Sequence, residues 1–143
     1  MTRPLRVLVL ALGLALGACA APAGPPPIRE GSACATCGME IHDRRFACER
    51  GLANRWRAYD SIECLMRDVA KRPGGDVWLA DYDSGTLHAA DSLWIAHGEF
   101  PSPMGAGYAA FLDAASAREV AITSKGTVGR LDDFLAAARG ATP

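Results

Sequence analysis

Apolar and charged residues roughly alternate through 45–50 (Arg-Phe-Ala-Cys-Glu-Arg) and again through 55–59 (Arg-Trp-Arg-Ala-Tyr). That period predicts two half-buried strands, joined across Gly51-Leu52-Ala53-Asn54, whose Gly and Asn suit a turn. The period then changes. Ile62, Leu65, Met66 and Val69 recur at helical spacing, after Asp60 or Ser61 as the cap, and Pro73-Gly74-Gly75 ends the run. With Asp60 as the cap, Glu63 falls close to a capping box. Residues 76–82 read as the next strand, and Asp83-Ser84-Gly85 as a turn.

The same order of elements then starts again. Short strands are expected at 86–89 and 92–97, and a loop at 98–105. A helix would follow, with Tyr108, Phe111, Leu112 and Ala115 on one face, then a strand at 119–123. A terminal helix over 129–139 would bury Leu131, Phe134, Leu135 and Ala138. The pattern predicts an α+β domain of two ββαβ units, 34–82 and 86–140, the second extended by a C-terminal helix.

The residues before Cys19 do not fit this pattern. Arg3 and Arg6 precede an apolar run, 7–16, that is short for a membrane span, and small residues and a cysteine follow. This is the layout of an export leader. Leu16-Gly17-Ala18-Cys19 looks like a bacterial lipobox, which predicts a signal peptide over 1–18 and a lipidated Cys19. Ala20 in place of Asp predicts, by analogy with diderm bacteria, an outer-membrane anchor facing the periplasm. Pro22 and Pro25 to Pro27 make 19–33 a semi-extended tether.

Composition narrows the function classes. The chain is 50% hydrophobic, a share raised by the leader, and its net charge is −1 with the two signs interspersed. Without a basic stripe, nucleic acid is not an expected partner. No acid–base pair or nucleophile–histidine arrangement stands out, so the chain does not read as an enzyme. Of its 5 cysteines, Cys19 is assigned to lipid. Cys34, Cys37, Cys48 and Cys64 remain, free to pair as disulfides or to combine a disulfide with metal binding. Cys48 and Cys64 could face each other, either bonded or as buried thiols.

Chemistry concentrates at Cys34-Ala35-Thr36-Cys37-Gly38-Met39, which puts two thiols and a thioether into six residues. Soft sulfur donors select soft ions, Cu(I) first among the biological ones. Covalent haem would need a histidine directly after the second cysteine, where Gly38 stands. A thioredoxin-type pair would need a helix starting at the cysteines. A four-cysteine zinc site usually has a second Cys-x-x-Cys, which this chain lacks. Met104, fixed between Pro103 and Gly105 in a loop, is the second sulfur of interest, whereas Met66 lies on an apolar helix face. His42 is a possible further ligand or a loop residue. His88 and His97 read as structural.

At these residues the chain resembles the NosL family of copper lipoproteins that serve nitrous oxide reductase. The resemblance rests on the Cys19 lipobox, Cys34-x-x-Cys37-Gly38-Met39, Tyr59-Asp60-Ser61-Ile62-Glu63-Cys64-Leu65 and Asp81-Tyr82-x-Ser84-Gly85. It continues through Ala89-x-x-x-x-Trp94-Ile95-x-x-Gly98 and Pro103-Met104-Gly105-x-Gly107-x-x-Ala110-Phe111. The family's Gly-Gly near Lys125-Gly126 is missing here. The resemblance implies a periplasmic Cu(I) chaperone of two ββαβ units that supplies the reductase's sulfide-bridged copper centre, with an ABC-type transporter as partner. It carries over Cys34, Cys37, Met39 and Met104 as ligands. The competing readings are a thiol–disulfide oxidoreductase using Cys34 and Cys37, and a zinc-stabilised domain.

Overall fold

A computed structural model of the chain describes residues 24–140. The expected leader, the lipobox and Cys19 lie outside the described residues. The first unit is β1 (Cys48–Leu52), β2 (Arg55–Tyr59), α1 (Ile62–Lys71) and β3 (Asp76–Ala80). The hairpin turns on two residues, Ala53 and Asn54, both at positive φ (45° and 65°), the geometry that matches strand twist in a tight turn. Gly51, expected in the turn, is instead paired within the strand opposite Trp56. A Cβ at Gly51 would come within 3.3 Å of that indole.

The second unit exists but is offset by one strand. It comprises β5 (Trp94–His97), β6 (Tyr108–Phe111), α2 (Ala114–Thr123) and β7 (Thr127–Gly129). The orders β2-β1-β3 and β6-β5-β7 repeat the same topology. β4 (Leu87–Ala89) belongs with the first sheet, added beside β3. The helix expected to carry Tyr108, Phe111, Leu112 and Ala115 is thus replaced by strand β6 and the start of α2, and the strand expected at 119–123 lies inside α2. Burial on both faces explains the first difference, because Ala109 and Ala110 are both fully buried and β6 shows no alternation. Capping explains the second: the Asp113 carboxylate accepts from the Ser116 N–H at 2.8 Å and starts a helix whose buried face is Ala117 and Ala121. Ile122, which favoured a strand, is 79% exposed. Tertiary burial outweighs β-propensity there.

α3 (Leu131–Gly140) follows and buries Leu131 and Leu135, leaving Ala138 at the surface. α1 lies at the centre, in contact with β1, β2, β6 and α3. Asp81 ties the two units together. Its Oδ2 accepts from the Ser84 N–H and hydroxyl at 3.0 and 2.7 Å, and its Oδ1 accepts from the Leu112 N–H at 3.0 Å. Alongside, the Tyr82 N–H donates to the Ala110 carbonyl at 2.7 Å. Burial by itself would raise the Asp81 carboxyl, but these hydrogen bonds outweigh it and hold it below its ordinary value. Within the stretch read as a tether, Ile28 is buried in the core and Gly24 lies against the Trp78 indole, so packing begins upstream of Cys34.

β1 also carries a buried acid. Glu49, paired across the sheet with Ala58 and Trp78, is 3% exposed, and its Oε2 has no hydrogen-bond partner among the described residues. Burial pushes its carboxyl up to about 7. The folded chain therefore keeps a proton that the unfolded chain has released, and stability falls as the pH rises from the ordinary glutamate range through that value. Denaturant unfolding at about pH 5 and about pH 8 is expected to show a loss of about 2–3 kcal/mol in the wild type, and little in Glu49→Gln.

Candidate metal centre

Cys34 and Cys37 lie in a small loop closed by the Ala33–Glu40 bridge. The Cys34 N–H donates to the Met39 carbonyl at 2.7 Å and the Gly38 N–H to the Cys34 carbonyl at 2.9 Å. Gly38 sits at φ 79°, left-handed backbone that a side chain would strain. The loop is docked on β2, with the Ala35 N–H on the Ala58 carbonyl at 2.9 Å and the Arg57 guanidinium on the Ala35 carbonyl at 3.2 Å. It is docked on α1 as well, where the Thr36 hydroxyl donates to the Cys64 carbonyl at 2.8 Å. Both thiols are thereby brought to the first turn of α1.

That turn is capped by Ser61, not Asp60. The Ser61 Oγ accepts from the Cys64 N–H at 3.3 Å and donates to Asp60 Oδ1 at 3.1 Å. Asp60 is therefore free of capping, and the Cys37 thiol donates to its Oδ2 at 3.4 Å. The result is a group of four donors, Cys34, Cys37, Asp60 and Cys64, whose ligand atoms all lie within 4.8 Å of one another. Three of the four are buried and Cys37 is half-buried.

Two of the three thiols, Cys37 and Cys64, are pushed above their ordinary values. Burial raises Cys37, with Cys34 and Asp60 adding to it and the Met39 N–H acting against it. Burial also raises Cys64, with Asp60 and Cys34 adding and the Ser61 hydroxyl opposing. A helix N-terminus ordinarily lowers a thiol; here desolvation wins. Such a site exchanges thiol protons for a metal ion, so metal binding releases acid.

The remaining sulfurs and imidazole are placed differently. Met39 is 46% exposed and lies, with His42, Asp60, Ser102 and Pro103, along a largely apolar cleft of about 770 Å³. His42 is exposed, its Nδ1 3.8 Å from the Glu40 carboxylate. Met104 is half-buried against the core cluster that contains Cys34 and Cys64. Cys48 is fully buried, its thiol on the Phe46 carbonyl at 3.4 Å, and lies outside the four-donor group. It forms no disulfide with Cys64: all four described cysteines are free thiols. Sequence reasoning did not place Asp60 or Cys64 among the copper donors, and weighed Cys64 as a metal ligand only in a four-cysteine zinc site. The available signal was the adjacent Asp60-Ser61 pair at the helix start: with Ser61 as the cap, Asp60 is left free of the helix N–H groups and Cys64 falls in the first turn.

No protein-family model matches the sequence, and no curated protein matches it. Among solved structures, the chain is similar to the crystal structure of the copper chaperone NosL from Shewanella denitrificans, with a TM-score of 0.67 and 18% identity. The similarity covers 78% of this chain and 96% of that one. This chain therefore has the fold of that chaperone, with a four-donor, cysteine-rich group at the N-terminus of its first helix.

Proposed function

We propose that the protein is a copper(I) carrier, loaded and unloaded at the Cys34–Cys37–Cys64 group. The carrying observation is that three thiols converge within 4.8 Å, because soft thiolates select Cu(I) over hard ions. Asp60 supplies the carboxylate beside Cys37. Met104, on the loop next to this turn, is the thioether ligand in this reading, and Met39 and His42 stand at the cleft where the ion enters and leaves. Half-burial of Cys37 and the open cleft at Asp60 leave one side of the ion within reach of an acceptor. In this reading the chain is held by lipid at Cys19 on the periplasmic side of the envelope. It hands copper to a copper enzyme, for which nitrous oxide reductase and its ABC-type transporter are the proposed partners. The fold shared with a copper chaperone supports the reading.

The raised Cys37 thiol makes that residue a poor attacking group for the oxidoreductase alternative, because the thiolate is the attacking species in disulfide exchange. One observation favours a second reading. Three cysteines and a carboxylate form a closed four-donor set of the kind that holds structural zinc. Anaerobic titration of the reduced protein with Cu(I) and Zn(II), against competing chromophoric chelators and with circular dichroism of the metal-free form, separates the two. The carrier is folded without metal, binds Cu(I) stoichiometrically and gives up zinc to copper. A metal-free form that is unfolded, or zinc that copper does not displace, overturns the carrier.

A further inference from the structure

The loop that bears Met104 fixes its own shape. The Gly105 N–H donates to the Ser102 carbonyl at 3.0 Å and the Gly107 N–H to the Ser102 Oγ at 2.9 Å. Gly107 lies at φ 66°, and a Cβ there would collide with the Gly98 carbonyl oxygen. What the loop does not fix by itself is its position against α1. Among the described residues, the hydrogen bonds between this loop and α1 both end on Glu63. Its Oε1 accepts from the Ala106 N–H at 3.3 Å and from the Ser102 hydroxyl at 3.5 Å. Glu63 is 5% exposed, and its Oε2 has no partner among the described residues. A buried carboxylate with one oxygen unpaired adds little to stability for its burial cost. Its placement makes sense as geometry, because the next residue is Cys64.

We infer that Glu63 is a positioning residue that latches the Met104 loop to the first turn of α1, so that the thioether is held at a fixed place beside the cysteine group. Metal affinity then depends on Glu63 only through Met104. The inference rests on the reading of Met104 as a copper ligand.

The test has a metal-free arm and a metal-bound arm. In the metal-free protein, Glu63→Ala is expected to speed amide hydrogen exchange at Ala106 by about tenfold, while Glu63→Gln, which keeps the acceptor oxygen, stays close to wild type. If Glu63→Ala does not fold, Glu63→Asp, which keeps the charge but draws the acceptor oxygen back by one methylene from the Ala106 N–H, leaves the loop's own bonds intact and moves exchange in the same direction. In Cu(I) competition, Glu63→Ala weakens binding about tenfold, and adding Met104→Ala makes it no weaker than Met104→Ala alone. Unchanged exchange at Ala106, or fully additive losses in the double variant, overturns the latch. Wild-type affinity in Met104→Ala removes the ligand reading and the latch's purpose with it; that failure shows in the single variant, whatever the exchange data give.

Discussion

Cys64→Ser is expected to lower Cu(I) affinity about a hundredfold or more, as measured by chelator competition on the reduced protein. Substitutions around metal ligands typically cost about 10–100-fold, and removing a ligand costs at least as much. Cys64 is fully buried, and its backbone N–H donates the cap bond to the Ser61 Oγ while its carbonyl accepts from the Thr36 hydroxyl, so the helix start is retained when the sulfur becomes oxygen. The soft donor is lost and the geometry is kept. Cys48→Ser is the matched control: it also removes a buried thiol, but from outside the four-donor group, and copper affinity is expected to stay within about twofold of wild type. Equal losses in the two variants would mean that buried thiols matter here only for packing.

The largest expected stability effect lies at the other end of α1. Arg50 is 0% exposed and its Nη1 meets Asp68 Oδ2 at 3.0 Å. The Tyr59 hydroxyl donates to the same oxygen at 2.7 Å, and Arg72 pairs with Oδ1. The Arg50 guanidinium also caps the helix exit, with its Nε on the Gly74 carbonyl at 2.9 Å. Burial by itself would raise the Asp68 carboxyl; Tyr59 and Arg72 outweigh it and hold it below its ordinary value. Asp68→Ala leaves the Arg50 charge buried with no counter-charge, and breaking such a pair costs about 3–5 kcal/mol. Against a total of about 5–15 kcal/mol for a domain, most of the fold's margin would go. Denaturant unfolding at neutral pH checks it, and a loss below about 1 kcal/mol would mean that Arg50 is stabilised by the carbonyls alone. A depressed carboxyl contributes stability that is present above the ordinary aspartate range and is lost as the pH falls through the folded value. Acid sensitivity should therefore be weaker in Asp68→Asn than in wild type.

The parts of the fold that could be read from sequence are those where one signal dominates. The β1–β2 hairpin is signalled by its turn, although β1 starts at Cys48 after a short 3-10 turn at Arg44–Phe46 and buries Cys48, Glu49 and Arg50 in a row. α1 carries its apolar stripe at Ile62, Leu65, Met66 and Val69, all buried as the spacing implies. β6 and α2 could not be read in the same way. Tyr-Ala-Ala-Phe is covered on both faces, and α2 buries only two alanines while exposing Ile122, so neither shows the period of its own structure. At the site, Cys34 and Cys37 announce themselves by spacing. Asp60 and Cys64 depended on which residue caps α1. With Asp60 as cap, its carboxylate would be spent on the helix N–H groups and Glu63 would reach back to close a capping box. With Ser61 as cap, Asp60 turns to Cys37 and Glu63 to the Met104 loop. A one-residue shift in capping separates a structural acid from a donor, and propensity does not resolve adjacent Asp and Ser at a helix start.

Copper K-edge X-ray absorption on the anaerobically loaded protein tests the central claim most directly. The account predicts one Cu(I) per chain in a coordination shell dominated by sulfur, losing sulfur when Cys37 or Cys64 is replaced by Ser. A shell of nitrogen or oxygen, or a sulfur shell unchanged in both variants, would contradict it.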